Sequence, residues 1–474
     1  MSLIFTNYVT MFEIYKRIQT RENHLNGFIH ESSTNEDKMV QCYFDDFCGN
    51  LQNIPLNEIT SYFDSFNSFI INKNIIENCF ENTEIQHSQL LVNFIDANFQ
   101  FLTETNDKIE KLLIFVSNVS YSCQNFSYSF INSLCFNHLK TFYQTPFQKH
   151  VLYILKSLFL DLNQTERENI LSFFELSFLL INIKEDNIDV LLVFLDTVVT
   201  FPSAQIASIY SILRFANEHF LSYPNEVLKI YRKILYFQNI INGYNFDLVN
   251  DLLINNPNVS IKISALDFIS SCYRRGIRCL QADINYLLNI AIYSNFCNQR
   301  PIESNSTEFG SGSGNFETLN IDIQNSASNA IRRICDADKE ICLSLDIIKL
   351  IENYEMMILR QKVILGYPIC EYLKYIDTSH LQVLIENHIN IFMIMKIMLE
   401  TEIESLTQRV FIILDIIFQK CSTIPNYIGH CSATFLSEFP NDSFLFYTTL
   451  ENEGLSEIGN EFFRKWVYTH KKEL

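Results

Sequence analysis

A chain of 474 residues is longer than one hydrophobic core usually supports, so it is either several domains or one elongated stack. Its formal net charge of −19 argues against a nucleic-acid-binding protein, which ordinarily presents a basic face. With 11 glycines and 9 prolines it falls far below their usual shares, which are about 7% and 5%. That leaves too few turn residues for a sheet-rich or loop-rich enzyme and favours helices joined by short polar loops. Thirteen cysteines without a CxxC pair read as buried thiols of a reducing compartment, not as a disulfide framework.

Taken in order, residues 1–54 form an irregular N-terminal cap, with an amphipathic helix expected over 1–19 and a solvated loop over 30–38. The first dozen residues lack a basic segment and an unbroken apolar run, so no signal peptide is expected. From Pro55 onward helical periodicity is nearly continuous, and residues 55–474 read as a single stack. Thr83-x-x-Gln86 and Thr165-x-x-Glu168 have the pattern of capping boxes. Thr145-Pro146 and Tyr223-Pro224 look like helix starts with proline in the first turn. The most apolar windows, 171–183, 190–201 and 389–399, are interrupted by Glu175, Asp196 and Lys396. None approaches the roughly 18 clean residues of a membrane span.

Residues 256–276 carry the clearest helix signal. Asn256 reads as the N-cap, Pro257 as the first helical residue, Arg274 and Arg275 as the last turn, and Gly276 as a left-handed stop. Between them Ile261, Ala265, Phe268, Ile269 and Cys272 share one face. An anchor of the form aliphatic–charged–x–aliphatic recurs at Leu155, Leu195, Leu266, Ile331, Leu373 and Leu414, several of them about 40 residues apart. The gap between Leu195 and Leu266 has room for one more unit near 231–241. The longer gap after Leu266 contains residues 298–320, whose Gly310-Ser-Gly-Ser-Gly314 composition predicts a disordered insertion.

The stretch 256–276, with its polar cap, β-branched residue and Ala265-Leu266 pair, resembles the second helix of an armadillo or HEAT repeat. Ser326-Ala-Ser-Asn-Ala-Ile331 resembles the small-residue packing helix of such a unit. The resemblance covers residues 55 to about 465. It implies an all-α fold, an armadillo/HEAT-like right-handed superhelix of antiparallel helix pairs, and a protein-binding inner face. The chain lacks a ladder of Trp-Asn pairs, its one tryptophan being Trp466, so an importin-alpha-like peptide groove is not implied.

Catalytic signals are missing from the sequence. No phosphate loop, dinucleotide fingerprint, zinc-protease helix or nucleophile elbow occurs, and Gly310–Gly314 is followed by no Lys-Ser/Thr. The pairs Cys42/Cys48, Cys272/Cys279, Cys335/Cys342 and Cys421/Cys431 are too widely spaced for a structural zinc site. His430-Cys431 lacks an orienting third group. The sequons at Asn118, Asn125, Asn163 and Asn258 are what an asparagine-rich chain produces by chance, and Lys471–Leu474 reads as a charged helix end. What stands out is a set of cations: Lys262, Arg274, Arg275, Arg278 and, one unit later, Arg332 and Arg333. Either they cap helices and pair with Asp267, Asp336 and Asp338, or they line a stripe that binds carboxylate or phosphate bidentately. The expectation is a non-catalytic scaffold without cofactor or metal, cytoplasmic or nucleocytoplasmic, binding a protein through an acidic or phosphorylated segment. A helical regulator of a small GTPase, or a transport-receptor or coat-type adaptor subunit, is the alternative.

Overall fold

The computed structural model describes residues 47–49, 51, 54–72, 85–201, 206–238, 240, 242–293, 313–386, 391–439 and 453–468. The expected helix over 1–19, the loop over 30–38, Cys42, Thr83 and the C-terminal Lys471–Leu474 lie outside them. Every regular element among the described residues is helical, so the protein is all-α. No single helix among them is long and apolar enough to cross a membrane. Contacts divide the chain into two compact units between Ile212 and Leu213.

In the first unit four helices pack side by side in chain order: α1 (Ile59–Asn72), α2 (Asn106–Ser122), α3 (Gln148–Asp161) and α4 (Ile188–Val198). Their polar pairs run in the same order on both partners, so neighbours are parallel. Lys111 Nζ of α2 meets Asp64 of α1 at 3.0 Å, and farther along Asn118 donates to Asn67 at 2.8 Å. His150 of α3 stands 3.7 Å from Glu110 of α2. Gln148, at the start of α3, receives the Asn187 amide at 3.1 Å, while near its end Phe159 meets Phe194 of α4 edge-on at 5.2 Å.

The second unit repeats the arrangement with α5 (Pro224–Lys233), α6 (Val259–Arg274), α7 (Ser313–Ala337), α8 (Leu359–Tyr375), α9 (Glu404–Ser422) and α10 (Glu453–Phe462). From α5 to α6 the pairs are Asn225–Ser264, Arg232–Asp267 and Tyr236–Arg275. From α8 to α9 they are Tyr367–Ser405 and Glu371–Arg409, both at 2.6 Å. From α9 to α10 they are Phe411–Phe462 and Asp415–Trp466. A shorter helix precedes and packs on each of four of these: Phe246–Asn255 on α6, Ile284–Ile292 on α7, Ile347–Tyr354 on α8 and Ile391–Leu399 on α9.

All six sequence anchors fall on these side-by-side helices: Leu155, Leu195, Leu266, Ile331, Leu373 and Leu414 are each at most 1% exposed. The extra unit near 231 is α5, and Tyr223-Pro224 is its N-cap and first residue. Burying one such aliphatic side chain stabilises by roughly 1.5–3 kcal/mol, which is why the anchor face sets the packing.

Helix starts depart from the sequence reading in four places. Thr145-Pro146 precedes the start of α3, whose N-cap is Phe147, so Pro146 is not in its first turn. The cap of α6 is Asn258, not Asn256: Asn256 Oδ1 accepts the Asn258 N–H at 2.8 Å, and Asn258 Oδ1 then accepts from Ser260. A second asparagine two residues on thus displaces the first, and Pro257 stands outside the helix. Likewise the capping box near 165 is Asn163 with Glu166, because Asn163 is the better-placed acceptor. Residues 313–320, read as part of a loop, are the first turns of α7. The C-terminus of α6 matches the reading. Gly276 has φ +76°, its N–H donates to Tyr273 O, and the Ile277 N–H donates to Cys272 O, the double bond of a Schellman stop.

Because a Cβ at Gly276 would meet nothing within 4 Å, replacing it tests backbone strain alone. Gly276→Ala is expected to lower stability by about 1 kcal/mol in urea-induced unfolding, since an L side chain resists the left-handed region.

Candidate partner-binding surface

The six cations named from the sequence do not form one stripe. Lys262, in the first turns of α6, donates to Ile254 O at 3.2 Å and to Tyr286 Oη at 3.1 Å. It lies twelve positions before Arg274, roughly 18 Å along the helix at 1.5 Å per residue. Arg275 turns toward α5 and donates to Tyr236 O at 2.7 Å, with its guanidinium 5.6 Å from the Tyr236 ring. Arg278 pairs at 2.8 Å with Asp338, whose side chain is only 2% exposed. Asp338 is itself the N-cap of the helix Lys339–Leu343. These three bind the molecule to itself.

Arg274 of α6 and Arg332 and Arg333 of α7 lie on two helices that pack against each other. Burial, then the like charges of Arg332 and Arg274, hold the Arg333 guanidinium below its ordinary range. Arg274 is exposed at the helix end and enters no ion pair among the described residues. Arg332 stacks 3.6 Å from the centroid of the Tyr367 ring. Its Nε is buried without a hydrogen-bond partner, 4.0 Å from Asp336.

Sequence reasoning missed the next members of this surface. Arg409 of α9 approaches the same Tyr367 ring at 5.2 Å and bridges Glu371 at 2.6 Å and Asp336 at 3.3 Å. Glu371 is 7% exposed and also receives Lys374 at 3.4 Å. These contacts join α7, α8 and α9, and nothing in the local sequence around Arg409 marks it. Truncating it leaves a buried carboxylate with one weaker cation, so the surface also holds the unit together.

The thiols are paired in space. Cys272 with Cys279, Cys335 with Cys342 and Cys421 with Cys431 form thiol–thiol hydrogen bonds. Donating its S–H to the partner sulfur, and then burial, raises Cys272, Cys335 and Cys431, whereas accepting the bond from Cys431 lowers Cys421. Burial also pushes Cys370 up to about 12. Cys431 thus faces a thiol, while the His430 ring lies against Tyr427. No group of three His, Cys, Asp or Glu suited to a metal occurs among the described residues.

In the first unit, a cleft of about 390 Å³ is lined by Gln89, Asn93, Asn125, Asn132, Tyr128 and Asp96 among others. Its carboxylate is already used, accepting from the Leu134 and Cys135 N–H groups. That leaves amides, the Tyr128 phenol and the Ser129 hydroxyl, which donates to Asn125 O, groups that bind but do not transfer protons at neutral pH.

Comparison adds a fold and nothing chemical. No protein-family model matches the chain, and no curated protein resembles it in sequence. Among solved structures it is similar to a crystal structure described as an engineered protein of the Northeast Structural Genomics Consortium. The TM-score is 0.54 at 8% identity, over 90% of this chain and 95% of that one.

Arg409→Met is expected to destabilise the second unit by roughly 3 kcal/mol, because it strips a buried carboxylate of its main partner. Adding Glu371→Gln should restore part of that loss, which a double-mutant cycle of unfolding free energies would read. All ten described cysteines are buried and the sequence has thirteen. Native protein should therefore expose no more than the other three to rapid reaction with a thiol reagent, and all thirteen after unfolding.

Proposed function

We propose that the chain is a non-catalytic helical-repeat scaffold, an armadillo/HEAT-like superhelix that binds a protein partner through an acidic or phosphorylated segment. The observation that supports this reading is that Arg333 of α7 feels the like charges of Arg332 and, across the packed seam with α6, of Arg274, in a chain of net charge −19. Like charges at one point cost free energy locally and are relieved by a multivalent anion. Guanidinium groups bind carboxylate and phosphate through paired hydrogen bonds, so the group suits a phosphorylated or Asp/Glu-rich strand. The side-by-side helices support the scaffold reading, since stacked units bury a shared core and leave a long surface to a partner. Reduced, buried thiols support a cytoplasmic or nucleocytoplasmic setting.

The test is co-purification from native cells at low and moderate salt, comparing wild type with Arg274→Glu/Arg333→Glu. A near-stoichiometric protein recovered with wild type and lost with the folded variant, and competed by a phosphorylated acidic peptide, is the expected result. Equal recovery with both would remove the arginines from the function. Arg278→Gln is the contrasting variant: it should reduce stability by leaving Asp338 unpaired, without changing which protein is recovered.

A further inference from the structure

A second surface, opposite in sign, lies around the connections that lead into α8 and α9. The connection 355–358 leads into α8 and the connection 400–403 leads into α9. Met356 is 88% exposed, Leu359 63%, and Ile358 and Ile403 are exposed beside them. The two connections are neighbours. A Cβ on Gly366 of α8 would meet Tyr354 Oη, at the end of the helix before the first connection, at 3.1 Å. It would meet Leu406 Cδ1, just past the second connection, at 3.2 Å. Glu352, Glu355, Glu400 and Glu402 are exposed around these apolar side chains and form no ion pair among the described residues, with Arg360 the one exposed cation in the same stretches.

Local stability does not account for these carboxylates. Glu352 and Glu355 sit at the C-terminal end of Ile347–Tyr354, and Glu400 directly follows Ile391–Leu399. A helix C-terminus carries partial negative charge and disfavours an acid there. Glu402 has φ +57°, a left-handed backbone that costs a non-glycine residue about 1 kcal/mol or more. Exposed apolar groups, unpaired acids placed against the helix dipole, and a strained backbone thus coincide in two adjacent connections.

We propose that connections 355–358 and 400–403 form a docking surface for a basic amphipathic helix of a partner protein. Its apolar stripe covers Met356, Ile358, Leu359 and Ile403, and lysine or arginine side chains flanking the stripe meet Glu352, Glu355, Glu400 and Glu402. The charge and the apolar area together select this occupant: an acidic helix is repelled, and a basic strand without apolar side chains leaves Met356 and Leu359 in water.

The probe is a fluorescent synthetic Leu/Lys amphipathic helical peptide, titrated with the full chain and followed by anisotropy, with a Leu/Glu peptide of the same pattern beside it. The Leu/Lys peptide should bind and the Leu/Glu peptide should not. Met356→Ser/Leu359→Ser and, separately, Glu400→Gln/Glu402→Gln should each weaken binding by about tenfold, as loss of about 1.4 kcal/mol of burial or charge pairing requires. Ile181→Ser, which alters an 80% exposed residue of the first unit, should leave affinity unchanged. The isosteric glutamine pair keeps the test decisive if the serine pair fails to fold. Unchanged affinity in the glutamine pair, equal binding of the Leu/Glu peptide, or a wild-type dimer in sedimentation that the rim substitutions dissociate would each overturn the proposal. The last result would make a second copy of this chain the occupant.

Discussion

Everything in the second unit hangs on one packing event, repeated helix by helix. An aliphatic pair such as Leu266 and Ile269 is buried where a helix meets its neighbours in the row and the short helix lying on it. The pair leaves no choice of rotation, because turning α6 by half a turn would expose Ala265, Phe268, Ile269 and Cys272 together. Once rotation is set, the polar residues on the flanks follow, so Arg232 reaches Asp267 and Arg409 reaches Glu371. Those ion pairs choose the register between neighbours. They contribute less than the apolar seam, because most are partly solvated.

The same constraint separates what the sequence reveals from what it hides. The anchors were legible because burial leaves a periodic mark within a dozen residues, and all six lie on the packed row. Helix stops were legible where backbone geometry demands one residue, as Gly276 does. Helix starts were less so: Asn256 and Asn258 can each cap α6, so the choice falls to loop geometry. The arginines were legible as a group and not as a surface. Arg274 and Arg333 are 59 positions apart, and only their packed helices bring them together. Arg275 and Arg278, beside Arg274 in sequence, point to other partners, and Arg409 joins a tyrosine and two carboxylates on other helices with no local signal.

Two surfaces of opposite charge on one helix row give the second unit an electrical direction. The arginine group lies toward the C-terminal ends of α6 and α7, and the unpaired glutamates lie around the connections that lead into α8 and α9. Oriented charge of this kind acts on encounter more than on final affinity, since it steers a partner into one orientation before contact. It is also sensitive to ionic strength, since charges more than about 8–10 Å apart are largely screened at physiological salt.

The spacing of cross-helix bonds has a consequence for how the chain reaches this state. Asn225–Ser264, Arg232–Asp267, Tyr236–Arg275, Tyr367–Ser405 and Glu371–Arg409 each close a loop of 35 to 39 residues. Folding can therefore begin at any pair of neighbours and spread by one helix at a time, without waiting for distant segments to meet. The loop lengthens to 51 residues between Asp415 and Trp466, and to 60 between Asn289 and Lys349 on the short helices that precede α7 and α8. Loop-closure entropy grows with the logarithm of length, so doubling a loop costs only about 0.6 kcal/mol. An array of this kind can thus gain chain between two of its helices, and whatever binding capacity that chain brings, while its order of assembly stays the same.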